Sequence, residues 1–122
     1  MYPPIFEICK ADSGVTAVLG ASPVRLYPFG EAPQRAAKPY AVWQTISGGP
    51  ENYLGNLPDI DSYSLQVDSY APTASSARAI AKAIRDAVEL YAHVTFWGGE
   101  SHDIETKNYR VNFTIDWWVP RP

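Results

Sequence analysis

A single cysteine, Cys9, excludes any intramolecular disulfide framework, so packing rather than cross-linking must hold this chain together. No apolar run approaches the roughly 20 residues needed to span a bilayer, and the N-terminus has no basic-then-apolar layout of a secretion signal. Membrane spanning and export by that route are therefore not expected. Basic charge is also short: 10 Lys and Arg face 13 Asp and Glu, a formal charge of −3 and the wrong sign for gripping nucleic-acid phosphates. Repeats, low-complexity tracts and blocks of like charge are missing as well, and the 122 residues read as one domain, 1–122. What the chain does have is 46% apolar residues, 11 prolines, and 4 Trp, 8 Tyr and 4 Phe. That is enough for an ordinary core with large rings to spare, and for many defined turns.

After Pro3-Pro4, Ile5, Ile8 and Cys9 recur at helical spacing, and Val15, Val18 and Leu19 do so again after Asp12-Ser13. Asp12 or Ser13 suits the cap of a second helix and Gly20 suits its end, so two short N-terminal helices are predicted. Val24 to Phe29 reads as extended, and Pro28, without an N–H for a ladder, restricts it to an edge or a strand end. Gly30 to Pro39 is a connection. Tyr40 to Ile46 is the next strand, with Tyr40, Val42 and Ile46 in one phase and Trp43 in the other. The stretch from Ser47 to Asp59 is longer than the few residues that usually join neighbouring strands, which marks a loop with a task or one that orders on binding.

Asp61 to Tyr70 alternates, with Tyr63, Leu65 and Val67 on one side and Ser62, Ser64, Gln66 and Asp68 on the other. Thr73 fits an N-cap without a capping box, because Ser76 stands three residues on. Ala77, Ile80, Ala81, Ile84, Val88 and Tyr91 then form one stripe of a long helix, opposite Arg78, Lys82, Arg85, Asp86 and Glu89. Val94 to Trp97 reads as a short strand ended by Gly98-Gly99. From Tyr109 to Val119 every odd position is apolar, a long strand with one face committed to a core. This order has too few crossover helices for a parallel sheet. The expected fold is a two-layer α+β domain, a mainly antiparallel sheet with the long helix and the short N-terminal helices packed on it.

Chemistry finds little support. Glu100-Ser101-His102-Asp103-Ile104-Glu105 has side chains of metal-ligand type, but the remaining His93 and Cys9 stand alone, and polar loop chemistry explains the segment equally well. Cys9 lies on an apolar stripe, where a thiol is ordinarily buried and inert. Gly48-Gly49 and Gly98-Gly99 carry neither a P-loop ending nor a dinucleotide fingerprint. No catalytic residue, metal ligand or cofactor is expected, and the chain does not read as an enzyme. Arg78, Lys82 and Arg85 form a basic line that could touch phosphate. Lys82 with Asp86 and Arg85 with Glu89 are also four apart, the pattern of a solvated, self-paired face.

The aromatics say more. Trp43, Trp97 and Trp118 all fall opposite to the apolar residues of their strands. Large rings on a nominally exposed sheet face imply either a second covering layer, which the N-terminal helices could supply, or a surface for another protein.

Arg25, Tyr27 and Pro28, then Ala32-Pro33, Pro39-Tyr40, and Leu65-Gln66-Val67-Asp68 running through Tyr70-Ala71 into an Ala-rich helix, form an ordered set. In that order the chain resembles the tail-completion, or tail-terminator, proteins of long-tailed (siphovirus-type) bacteriophages, from Ile5 to about Val119. The resemblance implies a structural protein of the virion, assembled in the host cytoplasm and placed at the tail–neck junction. Its partners would be copies of itself in a six-membered ring, the tail-tube protein and the head–neck connector. Such a ring stops tube polymerisation, and genome DNA passes through it without specific recognition. On that basis Trp43, Trp97, Trp118 and Tyr27 are expected between subunits. Glu51, Asn52, Tyr53, Leu54, Asn56 and Leu57 are expected against the tube. Two other readings are a small-molecule or peptide-binding module using the aromatic sheet face, and a small hydrolase using Glu100 to Glu105.

Overall fold

A computed structural model describes residues 2–33, 36–52, 55 and 57–121. The chain begins with α1 (Ile5–Ala11) and α2 (Ser13–Leu19), separated by an extended Asp12 whose Oδ1 accepts the Val15 N–H at 3.0 Å. That bond satisfies one of the free donors at the start of α2. Gly20, at φ 84°, ends α2 in a backbone conformation that side chains with a Cβ rarely adopt. There follow β1 (Leu26–Pro28), β2 (Tyr40–Pro50), β3 (Ile60–Ala71), α3 (Ala74–Val88), β4 (His93–Asp103) and β5 (Asn108–Pro120). Thr73 caps α3, its Oγ1 accepting the Ser76 N–H at 3.1 Å.

The strands form one sheet in the order β1-β2-β3-β5-β4, with β1 parallel to β2 and every other pair antiparallel. β1 is an edge strand, consistent with Pro28 at its end. Val111, Phe113, Ile115, Trp117 and Val119 of β5 and Leu65, Val67 and Ala71 of β3 are buried in one cluster with Ile80, Ile84 and Val88 of α3. Ile5 and Cys9 of α1 and Val15 and Leu19 of α2 complete it. All three helices thus cover the same face of the sheet, and each fully buried Leu or Ile contributes about 1.5–3 kcal/mol. Ser69, buried among these apolar groups, sits 3.0 Å from the Ala77 carbonyl and 3.2 Å from that of Val111, so its hydroxyl ties the start of α3 to the sheet.

Several expectations need correction. The ladder between β2 and β3 continues through Ser47, Gly48, Gly49 and Pro50, so the connection is Glu51 to Asp59 rather than Ser47 to Asp59. Gly48 permits this because a Cβ there would lie 2.8 Å from the Ser62 carbonyl. The phase assigned to β2 is inverted: Ala41 is buried and Trp43 packs partly buried against the core, while Tyr40 and Val42 face away from the helices. A bulge at Ile46 then resets the alternation. α3 stops at Val88, with Tyr91 exposed and Ala92 taking the buried place instead. β4 runs from His93 to Asp103, past the glycines that were expected to end it.

The helices and strands share one core, so a cavity in α3 should loosen all of it. Ile84→Ala is expected to lower the unfolding free energy by about 2–5 kcal/mol in urea denaturation. It should also speed alkylation of Cys9, whose thiol burial and, secondarily, Asp12 push up to about 12. A loss below about 1 kcal/mol would contradict a single shared core.

Candidate protein-interaction site

The face of the sheet away from the helices is formed by the even positions of β3 and β5 with Tyr27, Tyr40 and Val42. Tyr27, Tyr40 and Tyr70 lie side by side, the first two rings 6.3 Å apart and the last two stacked at 5.1 Å. Beside them Asp68, only 6% exposed, receives Arg110 at 2.7 Å and the Gln66 amide at 3.1 Å. Each carboxylate oxygen thereby has at least one donor from the protein itself. Burial, with the Asp68 charge second, raises the Tyr70 phenol above its ordinary value. Farther down the face Ser64 donates to Asp116 at 2.7 Å, and Trp118, 44% exposed, meets the His93 ring edge-on at 5.6 Å. Phe96, opposite Thr114, is also exposed here. It was not among the residues singled out in the sequence, since it shares a period-two phase with Val94.

Trp97 lies elsewhere. The register shift at Thr95 returns it to the phase of Val94 and places it opposite Phe113, with ring centroids 5.2 Å apart, and a second shift follows at Gly98. It therefore belongs to the helix side, contrary to the expectation from simple alternation. Gly98 leaves room at this bulge for the Asn112 side chain, whose Oδ1 a Cβ there would displace. Trp97 is 48% exposed because α3 does not reach over β4, leaving a groove of about 420 Å³ between them. Ala81, Val111 and Trp97 supply its apolar lining, and Arg78, Lys82, Arg85 and Glu100 its charged rim. The Arg85 guanidinium carbon is 6.0 Å from the Trp97 ring centroid.

The four residues expected between subunits are thus divided. Trp118 and Tyr27 are on the open face, Trp97 lines the groove, and Trp43 is held partly within the protomer, its buried indole N–H without a partner among the described residues. Of the expected tube-contact loop, Glu51, Asn52 and Leu57 are described, and Tyr53, Leu54 and Asn56 lie outside the described residues. Both legs of this loop are tied to the end of β5. The Trp118 indole donates to Glu51 at 3.1 Å. Arg121 pairs with Asp61 at 2.9 Å and donates its backbone N–H to the Asp59 carbonyl at 2.7 Å. That guanidinium holds the Asp61 carboxyl below its usual range.

The Glu100 to Glu105 segment does not converge on a metal. Glu100 pairs with Arg78 at 2.9 Å, His102 stacks on Tyr109 at 4.1 Å, and Asp103 accepts the Glu105 N–H at 3.0 Å. Among the described residues no three His, Cys, Asp or Glu side chains form such a group. The basic line of α3 is internally paired: Lys82 reaches Asp86 at 2.9 Å, and Arg85 reaches Asp86 at 2.9 Å and Glu89 at 3.8 Å. No described helix is long and apolar enough to cross a membrane.

The arrangement is one of aromatic and arginine side chains on two separate surfaces, a composition typical of protein contacts. No curated protein matches the chain. The family model described as Tail completion protein gp17 matches residues 3–120. A match over nearly the whole sequence makes the chain a member of this tail completion family of phages and gives it a role in completing the phage tail.

Proposed function

We propose that the protein completes the tail by closing into a ring, six-membered as the resemblance implies, on the last ring of tube subunits. There it stops polymerisation and offers its other side to the head–neck connector. The role is structural, without catalysis. The observation that carries this reading is the separation of solvent-accessible aromatics onto two unlike surfaces, half-buried Tyr27 and exposed Trp118 on the open sheet face and exposed Trp97 in the α3–β4 groove. A ring built from head-to-tail contacts needs two different surfaces on each subunit, whereas a twofold dimer needs only one. The loop between β2 and β3 reaches toward the tube, its legs anchored by Trp118 and Arg121.

Replacing residues 53–57 by Gly-Ser is expected to leave the fold intact and to yield tails of uncontrolled length or tails that fail to join heads, scored by electron microscopy. Normal tails would remove the loop from this account. Native mass measured across concentrations should show assemblies of the wild type; a lasting monomer would favour the peptide-binding module instead.

The loop anchor has its own pH signature. Arg121 depresses the folded pKa of Asp61 below the ordinary value of 3.8. The pair's contribution is therefore complete above that value and is lost as the pH falls through the depressed one. Arg121→Gln should return the Asp61 carboxyl, followed by NMR, toward its ordinary value. An unchanged titration would show that the pair does not form in solution.

A further inference from the structure

Two features at opposite edges of the sheet each set an apolar group beside charge, an acid at one edge and, at the other, the cations Arg78, Lys82 and Arg85 with Glu100 among them. After Pro28, at the β1 edge, the chain turns sharply: the Glu31 N–H donates to the Pro28 carbonyl at 3.0 Å, and Gly30 takes φ 81°. A type II turn requires this positive φ at its third residue. The closed turn holds Phe29 in solvent, 72% exposed, with the exposed carboxylate of Glu31 two residues on. One exposed ring is ordinary by itself. Here it stands on a hydrogen-bonded turn with an acid beside it, so little conformational freedom remains to be lost on docking.

The opposite edge carries the complement. The α3–β4 groove has an apolar lining that includes Trp97 and Val111, and Lys82 and Arg85 stand on its rim. Its volume of about 420 Å³ lies within the range of sites that enclose small ligands, enough for a phenyl ring. Lys82 and Arg85 share Asp86 on their own helix, and such exposed pairs exchange readily for an incoming carboxylate.

We propose that the Pro28–Glu31 turn of one copy seats in the α3–β4 groove of the next, with Phe29 against Trp97 and Val111 and Glu31 against Lys82 and Arg85. The two surfaces differ, so copies add head to tail and close when the rotation between neighbours permits. Tyr27, directly before the turn, enters the same contact. The inference rests on the ring reading and specifies which surfaces make the ring.

The test follows assembly of the full-length chain by sedimentation equilibrium, free and on tail ends. Phe29→Ser, at a solvent-facing position where folding is not at stake, is expected to weaken association about tenfold or more. Glu31→Lys and Lys82→Glu should each weaken it, and the two together should restore it, because the swap recreates the pair with its signs reversed. Assembly that is indifferent to Phe29→Ser, with no rescue by the charge swap, overturns the turn-in-groove contact while the ring itself stands. A wild type that remains monomeric both free and on tail ends overturns both.

Discussion

The buried row Val111, Phe113, Ile115, Trp117 and Val119 commits one face of the sheet to the helices. The first two helices together are too short to reach around to the other face: α1 and α2 have seven residues each, and both pack into the same cluster as α3. Everything else about the surface follows from that one-sided cover. The open face must satisfy its own polar groups, which Asp68, Arg110 and Gln66 do among themselves. The tyrosines around them leave apolar ring surface available to a partner that can also meet their hydroxyls.

A second consequence arises at the β4 edge. α3 lies over the centre of the sheet, so β4 extends beyond it, and the bulge at Thr95 turns Trp97 to the uncovered margin on the helix side. The bulges of β4 also break the regular ladder of an exposed edge, a common defence against unwanted strand pairing. The groove is therefore a by-product of how far one helix can reach, with a half-exposed indole and cations placed around it. At the other end of the same sheet, the base of the long hairpin is fastened by Trp118 and Arg121, which gives β5 a hand in both core and loop.

Much of this was legible in the sequence because long alternations and caps are local. The odd positions of β5 and the stripe of α3 up to Val88 followed from spacing, and the cap at Thr73, one at Asp12 or Ser13, and Pro28 at an edge or strand end followed from residue chemistry. The errors arose where a single residue changes the count. Bulges at Ile46 and Thr95 shift phase without any compositional signal, and Trp97 was misplaced because of the one at Thr95. β2 misled because it has apolar residues on both faces, so Trp43 and Tyr40 could not be assigned from alternation. Gly48-Gly49-Pro50 looked like a turn and is strand, since one neighbour suffices to hold it in the ladder. The tie between Arg121 and Asp61 joins residues 60 apart, beyond any local pattern.

The central claim is that the exposed aromatics on the open face and in the groove are covered by other protein in the finished tail. Hydroxyl-radical footprinting, comparing the free chain with the chain in completed tails, measures this directly. Trp97, Trp118 and Tyr27 should be strongly protected on assembly, with buried Phe113 silent in both states. Equal labelling of these three rings before and after assembly would show that no partner covers them.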